Sequence, residues 1–338
     1  MNERILRAAR QLPVDATPIW IMRQAGRYLP EYRAVREKVS FLQLCKTPDL
    51  AAEVTIQPVR RLGVDAAIIF SDILIPLEAM GLELELDDAG PRFPVPVRSG
   101  DDIRRLAIPD PEERTGFVGE AIRKAKQALS VPVIGFSGAP FTLASYLVEG
   151  GTSKNFLQIK RLLFEEPSLA HQLFEKLTQT IVLYLKMQVA AGAQLVQIFD
   201  SWGGELSPLD FDAFSFPYLQ RIVTGLKASK VPVIIFGTSM STLLPRLKRT
   251  GADVIGLDWR IEIDEARRML GPEVAVQGNL DPMALFLPRQ ELEQRASDIL
   301  RRAGSTGHIF NLGHGILPPT PPEAAQALVD AVHGFKHG

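Results

Sequence analysis

The sequence predicts an α/β fold, a single-domain (β/α)8 TIM barrel over residues 1–338 with a small β-ribbon inserted after the second strand. Three observations predict it. Eight short apolar runs recur along the chain without apolar/polar alternation, as strands buried on both faces do. Helical patterns fill the gaps between them. The 338 residues suffice for one large barrel, and no low-complexity linker or composition break divides them.

The runs are Pro18–Arg23, Asp65–Phe70, Pro132–Gly138, Leu195–Ser201, Pro232–Gly237, Asp253–Asp258, Val274–Asn279 and His308–Gly315. Between them, Pro167 to Ala191 sets Leu169, Leu173, Leu177, Ile181 and Leu185 at i, i+4 spacing, opened by Pro167 and closed by Gly192. Thr47-Pro48-Asp49 starts a helix that runs to Arg61 and stops near Gly63. Glu112 to Leu129 and Pro282 to Arg302 read as further helices. Leu82 to Val97 alternates leucine with glutamate and then reaches Asp87-Asp88-Ala89-Gly90, the pattern of a ribbon and its turn. A doubly wound sheet is the alternative fold. It wants a glycine-rich dinucleotide turn after its first strand, and Arg23-Gln24-Ala25-Gly26-Arg27 is not one.

Composition narrows the function. A formal net charge of -1 leaves no broad basic footprint, which sets nucleic acid and an acidic membrane surface aside as partners. No apolar run approaches the ~20 residues that span a bilayer, and the opening residues lack a signal peptide's apolar core. Cys45, placed in a loop before Thr47, is the only cysteine, so no disulfide framework or thiolate metal cluster is expected. A cytoplasmic enzyme fits these bounds.

The chemistry concentrates where the runs end, because a barrel of this kind carries its site at the C-terminal ends of its strands. The first run delivers Arg23, Arg27, Arg33 and Arg36 close together, with Gly26 among them. Guanidinium forks match carboxylates and phosphates, so a polyanionic small molecule is one reading and a solvated basic loop the other. The second run ends at Ser71-Asp72, where the carboxylate either caps the next helix or stands in a half-apolar pocket to meet a cation or N–H donors. Later runs bring Ser137, Tyr146, Asp200-Ser201, Thr238, Asp258-Trp259, Asn279, Asp281 and His314 to the same rim. Ser201 has neither a nearby histidine base nor a nucleophile elbow and reads as a hydrogen-bonding group. Tyr146 suits a short helix from Phe141 to Leu147, as core or as site. His314 stands between Gly313 and Gly315, which permit close ligand approach. The other histidines, His171, His308, His333 and His337, read as surface or strand-start residues, and no spacing suggests a metal.

Several segments together resemble the uroporphyrinogen decarboxylase family: MRQAGRYLPEYR (Met22–Arg33), IIFSDIL (Ile68–Leu74), GAPFTLASYLVEGG (Gly138–Gly151), GLDW (Gly256–Trp259), GNLDP (Gly278–Pro282) and FNLGHGILP (Phe310–Pro318). The resemblance implies a (β/α)8 barrel that converts the four acetate side chains of uroporphyrinogen III to methyls without metal or organic cofactor, giving coproporphyrinogen III. It implies substrate contacts from Arg23, Gln24, Ala25, Gly26, Arg27, Arg36, Tyr146, Ser201 and His314, with Phe136 and Phe199 as apolar walls. It implies that Asp72 accepts hydrogen bonds from the pyrrole N–H groups, and that Asp72 and Arg23 serve catalysis. A guanidinium stays protonated up to pH ~12 and is a weak acid, so a water or a substrate carboxyl rivals Arg23 as proton donor. The resemblance also implies a homodimer. Two rival functions are a zinc-dependent methyltransferase of the same superfamily, for which the chain has little thiolate material, and a non-catalytic tetrapyrrole carrier, which has no need of Asp72.

Overall fold

In the computed structural model, which describes residues 2–87 and 90–337, the apolar runs form one parallel sheet around a filled interior. The strands are β1 (Ala67–Ile68), β4 (Val133–Gly138), β5 (Leu195–Asp200), β6 (Val233–Gly237), β7 (Val254–Gly256), β8 (Ala275–Leu280) and β9 (His308–Leu312), paired in that order. A separate antiparallel pair, β2 (Glu85–Asp87) and β3 (Gly90–Arg92), is the expected ribbon. Its turn residues Asp88 and Ala89 lie outside the described residues.

The first run differs from expectation. It forms a single bridge, Ile19 with Phe310, instead of a paired strand. The reason is local. Pro18 has no N–H. The Ile19 N–H goes to the Asp65 carboxylate at 2.9 Å, and the Met22 N–H to the Asn311 side-chain oxygen at 2.9 Å. Main-chain bonds still run to both neighbours: Phe310 N–H donates to the Pro18 carbonyl and Asp65 N–H to the Ile19 carbonyl, each at 2.8 Å. The segment therefore closes the ring between β9 and β1 with side chains standing in for part of the ladder.

Inward-facing Trp20, Ile134, Ile234, Val254, Ala275 and Ile309 fill the barrel. A polar chain crosses it. The Trp20 indole N–H donates to Gln277 Oε1 and Gln277 Nε2 donates to Gln197 Oε1, each at 2.9 Å.

The helices mostly follow the sequence pattern. Pro167–Ala191 buries Leu173, Leu177, Ile181 and Leu185, Pro48–Leu62 ends at Gly63, and Pro111–Ala128 lies beside it. The helix expected from Pro282 to Arg302 is instead a 3-10 turn, Pro282–Phe286, and a helix, Arg289–Ala303. Pro288 separates them, since it cannot donate to a continuing helix. Cys45 is buried in a helix, Phe41–Lys46, rather than in a loop, because Ser40 and Gln43 form a capping box that starts that helix early. Among the described residues no helix is long and apolar enough to cross a membrane.

One place in the ring comes apart. The last ladder bond from β1 to β4 is Ile69 N–H to the Ile134 carbonyl, at 3.0 Å. Beyond it the chain leaves the sheet, and the main chain of Phe136 faces the space it vacates. Gln188, from the helix Pro167–Ala191, fills both needs. Its Oε1 accepts the Phe136 N–H at 2.8 Å and its Nε2 donates to the Phe136 carbonyl at 2.9 Å. The carboxamide reaches the strand because residue 135 is glycine; a Cβ there would stand 2.6 Å from Gln188 Oε1.

Gln188→Leu should therefore leave two buried main-chain groups unpaired. A stability loss of about 2–4 kcal/mol is expected, at about 1–3 kcal/mol per orphaned group less the relief of no longer burying an amide. Urea unfolding checks it: the midpoint should fall with the slope unchanged.

Candidate active site

A cavity of about 470 Å³ opens at the C-terminal ends of the strands, within the range of small-molecule sites. Its floor is aromatic. Phe136 and Phe199 meet edge to face with ring centres 5.6 Å apart, and Phe199 meets Phe236 at 6.0 Å. The three rings project from β4, β5 and β6, and Phe199 and Phe236 are register partners.

Arg23, Ala25, Gly26 and Arg27 line one wall. Arg23 has a left-handed backbone, φ 63°, which turns the chain out of the closing segment. Its side chain lies across Gly315, where any Cβ would collide with Arg23 Cδ. The glycine after His314 thus makes room for an arginine of the same site. Arg27 is exposed, and its carbonyl accepts from Arg33 Nη1 at 2.8 Å. Gln24 is different. It is fully buried, its Oε1 accepting from Ile21 N–H and its Nε2 donating to the Ala66 carbonyl, each at 3.0 Å. Its side chain pins the turn and is not brought to the cavity. Arg36 also stands off the wall, half-buried, donating to the Val39 carbonyl at 2.6 Å.

Asp72 faces the arginines from the segment that leaves β1. Both readings of its sequence position hold together: Oδ1 caps the Leu74 N–H at 2.8 Å, and the residue lines the cavity. Burial pushes its carboxyl above the usual carboxylate range, against the pull of the Leu74 N–H and the Arg23 charge. Tyr146, on the helix Pro140–Glu149, is held above the ordinary tyrosine range by burial and by the Asp72 charge, so its hydroxyl keeps its proton at neutral pH. His314 is pushed down to about 4 by burial and by the charges of Arg23 and Arg260, so its ring is neutral at pH 7. Ser201 lines the wall opposite, its carbonyl accepting from Thr238 Oγ1 at 2.6 Å.

Other rim residues turn out to be occupied with the loops themselves. Asp258 accepts from Ser239 N–H at 2.7 Å and Arg260 Nη1 at 2.6 Å. Asn279 donates to the Asp258 and Ile261 carbonyls, and Asp281 caps Met283. Asp200 is fully buried behind the wall, bonded by Thr142 and Ser215 and pushed up to about 6 by burial. Four histidines lie off the cavity wall: His171 on Tyr218, His308 on the Gly278 carbonyl, His333 on Asp65 and His337 on Thr17. Among the described residues no three His, Cys, Asp or Glu side chains group as metal ligands.

Sequence reasoning missed much of the apolar lining, among it Tyr32, Ile68, Phe70, Phe236, and Leu86 and Pro91 from the ribbon. The signal for Phe236 was present, since it stands fifth in the run PVIIFG as Phe136 stands fifth in PVIGFSG. The ribbon folds inward over the site because Phe93 N–H bonds the Gly150 carbonyl at 3.0 Å and Arg92 bridges Gly151.

Known proteins resemble this chain. The family model described as uroporphyrinogen decarboxylase (URO-D) matches residues 1–335. A protein of Myxococcus xanthus (strain DK1622) named uroporphyrinogen decarboxylase is 69% identical over 340 residues, covering 100% of this chain and 97% of its own length. One of the same name from Proteus mirabilis (strain HI4320) is 50% identical, covering 98% of this chain and 96% of that one. Among solved structures, a methyltransferase from Methanosarcina mazei superposes with TM-score 0.80 at 21% identity, covering 99% of this chain and 98% of that chain, a likeness of fold alone. A whole-chain family match and relatives at this identity lead to one assignment: the chain belongs to the uroporphyrinogen decarboxylase family.

Proposed function

We propose that this chain is a carboxy-lyase that decarboxylates the four acetate side chains of uroporphyrinogen III to methyls, giving coproporphyrinogen III, with residues 1–338 acting as one catalytic domain. One observation carries the reading: a carboxylate, Asp72, and two arginines, Arg23 and Arg27, share a cavity floored by phenylalanine rings. Such a cavity is complementary to a macrocycle that is apolar on its faces, anionic round its edge and rich in N–H groups at its centre.

The chemistry follows from where charge develops. Loss of CO2 from an acetate leaves an electron pair on the exocyclic carbon. Protonating the pyrrole at the ring carbon beside the acetate-bearing one first makes a cation that takes up that pair when the C–C bond breaks. A second proton then converts the exocyclic carbon to a methyl, and loss of the ring proton restores the pyrrole. In this reading Asp72 stabilises the cation, and Arg23 holds the reacting carboxylate over Gly315. Tyr146, Ser201 and a neutral His314 hydrogen-bond the substrate. Arg27 grips peripheral carboxylates, while the main chain of Gln24, Ala25 and Gly26 shapes the turn that presents it. Phe136, Phe199 and Phe236 keep water from the cation, which strengthens its attraction to Asp72.

Anaerobic incubation with uroporphyrinogen, with the carboxyl count of the products read by chromatography, tests the reading. The octacarboxylate should give way to a tetracarboxylate; an unchanged octacarboxylate overturns it. In the same assay Asp72→Asn should lose turnover by about 100- to 1,000-fold, as removal of one electrostatic stabiliser does. Its stability should move the other way. The folded pKa of Asp72 is raised, so the folded state binds the proton more tightly than the unfolded chain and stability falls as pH climbs from ~4 through the folded pKa. Asp72→Asn removes that loss. Its thermal midpoint should exceed the parent's at pH 7 and match it below pH ~4.

Arg27→Ala should act on affinity instead. Its contact exists in ground and transition states alike, so KM should rise about tenfold with kcat nearly unchanged. Raised salt should reproduce part of the defect in the parent protein, because Arg27 is exposed.

We also infer a cytoplasmic homodimer with its two mouths facing each other. Exposed apolar side chains on the loops that follow β7 and β8, Trp259, Met283 and Phe286, support an isologous contact there. Light scattering at micromolar protein should give twice the 37.3 kDa chain mass; the single-chain mass with full activity overturns the dimer.

A further inference from the structure

Past its last bond to β4, the chain after β1 leaves the sheet. The first residue beyond that bond is Phe70, and its N–H donates to Thr55 Oγ1 at 2.9 Å. Thr55 sits on the helix Pro48–Leu62 and is buried, with 1% of its surface exposed. Its hydroxyl proton is committed to the Ala51 carbonyl one turn earlier, at 2.6 Å. With that proton placed, a lone pair of Oγ1 is fixed towards Phe70. The β-branched side chain has few rotamers through which to drift.

Downstream of this tether the segment is held by its own turn. Leu74 N–H bonds the Asp72 carboxylate at 2.8 Å, and Ile75 N–H bonds the Asp72 carbonyl at 3.3 Å. The turn fixes Asp72 relative to Leu74 but does not by itself fix the turn relative to the barrel. Thr55 supplies that registration, two residues before the carboxylate. Phe70 and Asp72 both line the cavity while Thr55 does not. Any influence of Thr55 on the reaction must therefore pass through the segment it holds.

We propose that Thr55 is a positioning residue for decarboxylation, fixing where the Asp72 carboxylate stands over the aromatic floor. The proposal rests on the decarboxylase reading. Besides the bond within its own helix, Thr55 Oγ1 accepts from the chain that carries the charged group.

The test is a mutant cycle in the anaerobic uroporphyrinogen assay. Thr55→Val keeps shape and removes the hydroxyl. It should lower kcat about 10- to 100-fold, as a misplacement of the order of 1 Å does, with KM little changed. Thr55→Ser, which restores the acceptor, should recover most of the loss. In an Asp72→Asn background, assayed with excess enzyme, Thr55→Val should cost less than about 2-fold, because the group it positions no longer carries charge. Rates are taken per folded molecule, from circular dichroism of each variant. Should Thr55→Val fail to fold, Thr55→Cys, an unbranched side chain with a weaker acceptor, takes its place in the cycle. Equal losses in the two backgrounds, a rise in KM alone, or no loss on hydroxyl removal overturns the proposal. An inactive parent protein overturns instead the reading on which it stands.

Discussion

The structure depends most on the hydrogen bonds that hold the segment from Pro18 to Met22 between the last strand and the first. Asp65 is the centre of that attachment. Its buried carboxylate accepts from Ile19 N–H at 2.9 Å, Asn2 at 2.7 Å, His333 at 2.7 Å and Arg4 at 3.2 Å. Burial alone raises such a group. Here the bonds from His333, Ile19 and Asn2 outweigh that and hold its pKa below the usual range, so the carboxylate is ionised and fully employed. One side chain thus gathers the chain start, the closing segment, the entry to β1 and the last helix, Pro322–Gly334, at the N-terminal end of the barrel. The opposite end of the same segment emerges as Arg23. The wall of arginines can be no better placed than the segment that carries it, and Asp65 and Asn311 place that segment.

The ring that Asp65 closes on one side is deliberately incomplete on the other. A fully paired eight-strand barrel would carry the chain after Ile69 straight along β4 and would leave Asp72 no route into the cavity. Parting the strands frees the segment but strands polar main-chain groups in an apolar setting, which is costly unless each finds a partner. Gln188 and Thr55 are those partners, one from each of two outer helices. Closure and splitting are met by the same device, side chains taking over ladder bonds.

Much of this was legible in the sequence, and the exceptions have physical causes. Strands buried on both faces leave continuous apolar runs, so β1 and β4 to β9 could be read directly. The first run looked like an ordinary strand because nothing in its own residues shows that Asp65 and Asn311 take its N–H groups. Pro288, by contrast, was a visible break within the span from Pro282 to Arg302, and so was the Ser40–Gln43 capping pair before Cys45. In the site, charged and polar residues at strand ends were conspicuous: Arg23, Asp72, Tyr146 and His314 all line the cavity. Gln24 shared their motif but serves the turn, since a buried amide and a ligand-binding amide look alike in sequence. The apolar lining, Phe236 and the ribbon's Leu86 among it, was hidden because a cavity floor and a core are written in the same residues.

Which of the charged groups does the catalytic work can be argued from how each interaction changes along the reaction. In the proposed reaction the carboxylates round the rim of the macrocycle are anions throughout, so arginine contacts with them would contribute equally before and during the barrier and chiefly set affinity. His314 is neutral at pH 7 and brings no charge to a developing cation. Tyr146 keeps its proton and can only share a hydrogen bond. Asp72 alone among these four carries a charge opposite to the one that appears. Its environment is already unfavourable to that charge, as the raised pKa records. In the proposed reaction a pyrrole cation formed over Phe136 and Phe199 would supply the missing partner, in a site of low dielectric where the attraction is strong. On that reading the burial that makes Asp72 a liability to the fold would make it selective for the transition state, and its position, which we propose Thr55 holds, would matter more than its affinity for the substrate.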